Sequence, residues 1–330
     1  MLLAGDIGGT KTVLALFSTA ESVDTLHPLH LQTFPSGRFS SLEAIIAQFL
    51  QDKAVTVEAA TFGVAGPVVN GRSQITNLPW IIDAANIGQT FRIEKVALLN
   101  DLEAIATAVP HLQANDLATI NDGTPTPGGA IAVIAPGTGL GEAFLIWDGQ
   151  RYQAHPSEGG HATFAPTNAD QRAMQAYLET KFNHISFERV CSGSGIPNLY
   201  NFWRQDGRFP EPAWLREQID QAEDPTPVIV EAGLAKTADI CAATVEMFVD
   251  ILAGEVSNMA LKVLSTGGVY LGGGIPPRLL NLLQTERFCS QFADKGRFTT
   301  LLKNMPVQVI CNPQVALLGA AWGGMDLLDA

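Results

Sequence analysis

Apolar positions along the chain come in short bursts broken by glycine, and two of these bursts share one design. The first runs from Leu2 to Phe17 around Gly5-Asp6-Ile7-Gly8-Gly9-Thr10, and the second from Ala130 to Ile146 around Gly137-Thr138-Gly139-Leu140-Gly141. Each reads as a strand, a tight turn and a returning strand. Backbone N–H groups and a threonine hydroxyl gather at the bend, which is what a phosphate chain requires. Two copies, one opening each half, point to a duplicated architecture holding a nucleotide, and so to phosphoryl transfer.

Elsewhere the pattern alternates between helix and strand. Leu42, Ile45, Ile46, Phe49 and Leu50 fall on one helical face within Ser40–Gln51. Strands are expected at Ala59–Pro67, closing in a Gly/Pro turn, and at Lys95–Leu99, followed by Asn100-Asp101 and a helix over Leu102–Val109. Thr119–Gly129, with two prolines and three glycines, reads as a loop at a lobe boundary. The second half predicts a helix over Ala169–Phe182 and one or two long helices over Pro227–Val263. A late strand at Gly267–Leu271 leads through Gly272-Gly273-Gly274 to a helix starting near Pro276-Pro277, and a terminal helix covers Pro313–Leu328.

Bulk properties narrow the class. The 330 residues carry 46% hydrophobic and 16% charged positions, ordinary for a globular enzyme of about two domains. No apolar run approaches the roughly 18 residues of a membrane span. No basic region precedes the first apolar stretch, so no signal peptide is expected, and the cytoplasm is the expected compartment. A net charge of −13 argues against a nucleic-acid partner. Cys191, Cys241, Cys289 and Cys311 lack CxxC spacing and read as free thiols rather than a zinc site.

The individual motifs differ in what they can carry. Gly5-x-x-x-x-Thr10-Lys11-Thr12 is close to a P-loop, but Thr12–Phe17 continues as a strand with loop residues after it, where a P-loop would feed a helix. Asp6, a carboxylate at a buried strand end beside this turn, suits magnesium held largely through water. The second turn is not GxGxxG and also continues as a strand, against a dinucleotide fold. Asn100-Asp101 reads either as a helix N-cap or as the site of a general base, and the two roles are compatible because a helix N-terminus stabilises a carboxylate. Glu158-Gly159-Gly160-His161 fits hydrogen bonding to a polyol better than a metal, for which the nearest further candidate, His155, lies across a proline. A plain polar surface loop is the alternative there. Glu188, before Ser192-Gly193-Ser194-Gly195, reads unaided as a solvated or ion-paired residue. The Leu271–Arg278 loop could lay a planar base against bare backbone, or simply start a helix.

In this order the motifs resemble the bacterial glucokinase family of hexokinase-type sugar kinases, within the actin-like ATPase superfamily. The matches are Gly5–Thr10, Leu99-Asn100-Asp101-Leu102-Glu103-Ala104, Gly137–Gly141, Glu158–His161 with Phe164-Ala165-Pro166, Glu188-Arg189-Val190 with Ser192–Gly195, and Leu271–Ile275. The resemblance implies an α/β fold of two ribonuclease-H-like lobes with mixed sheets flanking a central cleft. The smaller lobe would be 1–111 plus 312–330 and the larger 112–311, with nucleotide and sugar in the cleft. It implies ATP-dependent phosphorylation of D-glucose at the 6-hydroxyl, with Asp101 as base, and a cytoplasmic homodimer serving glycolysis. Asn100, Asp101, Glu158, His161 and Glu188 would hold the sugar. Gly5, Asp6, Ile7, Gly8, Gly9, Thr10, Gly137, Thr138, Gly139, Gly272, Gly273 and Gly274 would hold MgATP, with Asp6 toward the magnesium. A kinase for another hexose and a sugar sensor without turnover are the competing expectations. The zinc-bearing repressor/open-reading-frame/kinase branch is excluded, because no cysteine lies between His161 and Cys191. Pro197, after Ser194-Gly195-Ile196, departs from the family pattern.

Overall fold

The computed structural model describes residues 1–19, 26–75 and 78–329. The loop expected after Phe17 falls mostly at 20–25, outside the described residues. Two compact units emerge: Met1–Asp116 with Trp147–Pro156 and Asn312–Ala330, and Leu117–Ile146 with Ser157–Cys311.

The first unit opens with strands Leu2–Ile7 (β1), Lys11–Phe17 (β2) and His30–Pro35 (β3), then helix Leu42–Leu50 (α1) and strand Ala59–Val64 (β4). A small three-stranded sheet follows, from Val68–Val69 (β5), Arg72–Gln74 (β6) and Ile81–Asp83 (β7). Helix Ala84–Phe91 (α2), strand Lys95–Asn100 (β8) and helix Asp101–Ala108 (α3) complete the run. The main sheet has the order β3-β2-β1-β4-β8, antiparallel as far as β1 and parallel from β1 through β4 to β8.

Strand alternation sorts its side chains onto two faces. Leu3, Leu14, Leu16 and Phe62 pack with Ile45, Ile46 and Phe49 of α1. Leu2, Ala4, Ala15 and Phe17 pack on the opposite face with residues of the terminal helix.

The second unit holds Leu117–Asn121 (β9), Ile131–Pro136 (β10) and Leu140–Trp147 (β11), the last of which enters the first unit at Trp147. Tyr152–Ser157 (β12) lies mostly with the first unit. Helices Ala169–Glu179 (α4), Ile196–Asp206 (α5), Ala213–Gln221 (α6), Thr226–Leu234 (α7) and Asp239–Val263 (α8) come next. Gly268–Leu271 (β13), Leu280–Leu283 (α9), Glu286–Ala293 (α10), Thr299–Lys303 (α11) and Val307–Ile310 (β14) end this unit. Its sheet runs β11-β10-β13-β14-β9, again a hairpin (β10-β11) followed by parallel strands, with β9 antiparallel at the edge. This is the doubled ribonuclease-H-like plan of the actin-like ATPases. α8 is buried along much of its length and forms the centre of the core.

The last helix, Val315–Asp329 (α12), belongs to the first unit. Gly319 brings it against α3: a Cβ there would overlap the carbonyl oxygen of Ala104.

Some elements differ from the sequence expectation. β9 begins at Leu117, so the first residues of the expected 119–129 loop form an edge strand. The 227–263 stretch, expected as one or two helices, resolves into two, with a break at Ala235–Ala238. Pro276-Pro277 lie in a turn, and the helix starts only at Leu280. Residues 147–156, placed by sequence with the larger lobe, cluster with the first unit, where Arg151 Nη1 lies 2.9 Å from Asp326 Oδ1. Pro197 sits in the first turn of α5, where its missing N–H leaves no helical bond unmade.

Candidate active site

In the first unit, strand register assembles the acidic pair. Asp6 stands in line with Gly63 of β4, which in turn stands beside Leu99 of β8, one residue before Asn100-Asp101. Asp6 shares the strand face of Leu2 and Ala4, the face on which α3 packs through Ala104 against Gly63. Burial raises the carboxyl of Asp6 above the usual carboxylate range, Lys11 opposes this, and the charge of Asp101 adds to it. Asp6 therefore lies near enough to Asp101 to feel its charge.

Of the readings left open by sequence, the structure shows the N-cap, and Asn100 is the residue that takes it. Asn100 is the N-cap of α3: its Oδ1 accepts from Glu103 N at 2.5 Å while Glu103 Oε2 accepts from Asn100 N at 3.4 Å, a capping box. Asp101 is the first helical residue, and its Oδ1 accepts from Leu102 N at 3.0 Å. Its carboxylate thus sits in the positive field of a helix N-terminus. Burial raises the Glu103 carboxyl, against the Asn100 N–H that it accepts and a smaller pull from His155.

The β1–β2 turn is held from behind. Gly8 N donates to Lys11 O at 2.9 Å, Ser36 N donates to Thr10 O at 3.0 Å, and Ser36 Oγ donates to Gly8 O at 2.8 Å. The Ser36 hydroxyl also pairs with Thr12 Oγ1 at 3.0 Å, both residues being fully buried. Ser36 was not singled out by its sequence context, because only the β2–β3 pairing brings it here. Gly5 and Ile7 belong to the strand interior. A Cβ on Gly5 would lie 2.7 Å from Phe62 Cδ1 and 2.8 Å from Leu14 Cδ2, and Ile7 is buried. Both shape β1 beneath the turn rather than presenting side chains at it.

In the second unit, Glu188 joins the other glycine turn to the polar cluster. Its Oε2 accepts from Leu140 N at 3.1 Å and occupies the place where a Cβ on Gly139 would stand. Its Oε1 lies 3.9 Å from His161 Nδ1, and Glu158 Oε2 lies 3.9 Å from His161 Nε2. Glu158, His161 and Glu188 therefore form one group, with His184 Nε2 3.0 Å from the His161 carbonyl oxygen. A cavity of about 400 Å³ beside it is lined by His161, Glu188, Lys181 and Arg189.

A larger cavity, about 950 Å³, is lined by Gly137, Thr138 and Gly274 together with Pro197, Val230, Ile275 and Arg278. That volume and its largely apolar wall suit a nucleotide-sized ligand. Gly137 O and Thr138 O are tied to Gly193 N at 2.7 Å and Ser194 N at 3.2 Å, so the turn is anchored to the segment that starts α5. Gly193 makes this approach possible, since a Cβ would stand 2.9 Å from Gly137 O. Gly272 and Gly273 lie instead on the end of β10. Gly272 N donates to Ile134 O at 2.9 Å, and Gly273, at φ +80°, would put a Cβ 2.6 Å from Pro136 O. Sequence reasoning missed the α5 and α7 walls. A proline one residue into α5 was their faint signal.

Comparison with known proteins converges on one family. A model of the family described as Glucokinase matches residues 3–326. The glucokinase of Nostoc punctiforme is 41% identical over 97% of this chain and 98% of that protein. The glucokinase of Synechocystis sp. is 37% identical over 97% and 96%. Among solved structures, a glucokinase from an Antarctic psychrotroph superposes with a TM-score of 0.87 at 29% identity, covering 98% of both chains. A ROK family glucokinase from Streptomyces griseus, crystallised with glucose and AMPPNP, shares the fold at a TM-score of 0.64 and 19% identity, covering 98% of this chain and 99% of that one. With a match across nearly its whole length, the chain belongs to the glucokinase family.

Proposed function

We propose that this chain transfers the γ-phosphoryl group of ATP to the 6-hydroxyl of D-glucose, giving glucose 6-phosphate and ADP. Family membership supports the activity. The observation that carries the mechanism is the placement of Asn100-Asp101 at the end of β8, coupled to Asp6 beside the glycine turn.

Asp101 is the base. As the sugar's 6-oxygen forms its bond to the γ-phosphorus, its proton passes to the Asp101 carboxylate, and the bond from the γ-phosphorus to the bridging oxygen breaks. Asn100 has committed its Oδ1 to the helix cap, which leaves its amide N–H groups to a sugar hydroxyl. Glu158, His161 and Glu188 bind the remaining hydroxyls: carboxylates accept and the imidazole can donate. Gly8, Gly9 and Thr10, and likewise Gly137 to Gly139, are assigned to the phosphates. The cavity walled by Pro197, Val230 and Ile275 takes the base, and Arg278 is the cation among its lining residues.

A half-buried carboxylate at a phosphate turn fits a cation that draws most of its ligands from water and phosphate oxygens. No group of three or more His, Cys, Asp or Glu among the described residues offers another metal site. Asp6 would hold magnesium, which supplies charge neutralisation on the phosphates when bound. A homodimer, a cytoplasmic location and a place in glycolysis complete the proposal on the same resemblance. None of the described helices is long and apolar enough to cross a membrane.

The test is a coupled ADP-release assay with MgATP and a panel of hexoses, on wild type and Asp101→Asn. Turnover with glucose that falls about 10²–10⁴-fold in the variant, with glucose binding retained, supports substrate and base together. Turnover with a different hexose alone overturns the glucose assignment. Saturable glucose binding without turnover in the wild type leaves a sensor.

A further inference from the structure

Beneath the Gly159–His161 turn lies a buried pair of carboxyls that the proposed chemistry does not use. Glu142 points inward from β11 at 1% exposure, and Glu255 on α8 is fully buried. A Cβ on Gly159 would overlap Glu142 Oε2, and one on Gly160 would overlap Leu140 O. The two glycines therefore lie flat on β11, and the Glu142 carboxyl is the floor of the turn that carries Glu158 and His161.

The two carboxyls are close enough to share a hydrogen bond. Each keeps one buried oxygen, Glu142 Oε1 and Glu255 Oε1, with no ordinary donor. A proton on one of the pair supplies the donor that both lack. Glu255 is the better anion of the two, because Asn258 Nδ2 donates to its Oε2 at 2.9 Å and Lys262 Nζ lies 3.7 Å from its Oε1. Burial and the charge of Glu255 push Glu142 up to about 8, against the pull of Lys262. The other titratable groups facing the pair are the Cys191 thiol, held far up by burial and both carboxylates, and Lys295, lowered by burial.

We propose that Glu142, as the protonated acid donating to the Glu255 carboxylate, is a positioning residue that fixes the Gly159–His161 turn for sugar binding. The inference rests on the assignment of Glu158 and His161 to the hexose. Loss of the proton places a second negative charge in a space neutralised by Lys262, and the turn above can no longer lie flat. If the ionised form does not hold sugar, the glucose dissociation constant rises about tenfold between pH 7 and pH 9.

The experiment measures glucose binding to the full chain, without nucleotide, by calorimetry across pH 7–9, with circular dichroism at each pH to confirm folding. Wild type is expected to weaken about tenfold. Glu142→Gln keeps a donor toward Glu255 and cannot ionise, so it binds near the wild-type value at pH 7 and stays flat to pH 9. Glu142→Ala binds weakly throughout. Glu255→Gln leaves Glu142 as the one carboxylate beside Lys262, so no second charge arises and its binding also stays flat from pH 7 to pH 9. A Glu142→Gln profile that falls with pH as the wild type does, or a Gln variant as weak as the Ala variant at pH 7, overturns the proposal. If His161→Ala binds glucose normally, the sugar assignment beneath it fails instead.

Discussion

Replacing Ser36 by alanine tests whether the first phosphate turn is held from its buried side. The Ser36 hydroxyl makes two contacts, to Gly8 O at 2.8 Å and to Thr12 Oγ1 at 3.0 Å, and Ser36 and Thr12 are both fully buried. Losing the bond to Gly8 costs about 0.5–1.5 kcal/mol, and leaving the Thr12 hydroxyl buried without its partner costs about 1–3 kcal/mol. The sum is about 1.5–4.5 kcal/mol of unfolding free energy. Adding Thr12→Val removes the stranded hydroxyl, so the double variant should recover part of the loss. Urea denaturation gives the stabilities. The coupled assay should show the KM for ATP rising while glucose binding without nucleotide stays within about twofold, since the turn and not the sugar group is disturbed. Ser36→Ala within about 0.5 kcal/mol of wild type, or a double variant less stable than Ser36→Ala, would refute the reasoning.

Two further outcomes follow from packing and linkage. Gly319→Ala forces a Cβ into the Ala104 carbonyl of α3, where only backbone can yield, and should lower stability by about 1–3 kcal/mol in urea titration. Burial and the charge of Glu255 raise Glu142 in the folded chain from the ordinary carboxyl value of 4.5 to about 8. The folded chain therefore holds the extra proton between these values, and the group's stability contribution is full below pH 4.5 and lost as pH rises through 8. Glu142→Gln should accordingly gain stability relative to wild type on going from pH 5 to pH 8, as read by chemical denaturation at each pH. A constant difference would contradict this.

Much of the site was legible because its parts are local. A glycine turn, an Asn-Asp pair before a helix and a Glu-Gly-Gly-His cluster each suggest a chemistry within a few residues, beside the plain turn, cap or surface loop that the same residues also fit. Glu188 needed the family pattern, because nothing in Phe187-Glu188-Arg189 shows that its carboxylate bonds Leu140 N and faces His161. Ser36 and the Glu142–Glu255 pair were beyond sequence altogether, since strand pairing and helix packing bring their partners from distant segments. The same holds for fold detail. The β1–β2 and β10–β11 hairpins were readable as apolar runs about a turn. β9 was not, because a short edge strand followed by prolines and glycines has the composition of the loop it enters.

The placement of α12 has a consequence for synthesis. The sheet face bearing Leu2, Ala4, Ala15 and Phe17 is covered by Leu317, Ala320, Ala321 and Trp322. While the ribosome is still making the second unit, the part of this face around Leu2, Ala4, Ala15 and Phe17 therefore waits uncovered, with α3 packed at its Gly63 end. The first unit to be translated is then the last to close, a long-range pairing that slows folding and leaves a sticky intermediate exposed. The nascent chain's exposure to aggregation is thus set by its final helix rather than by its first strands.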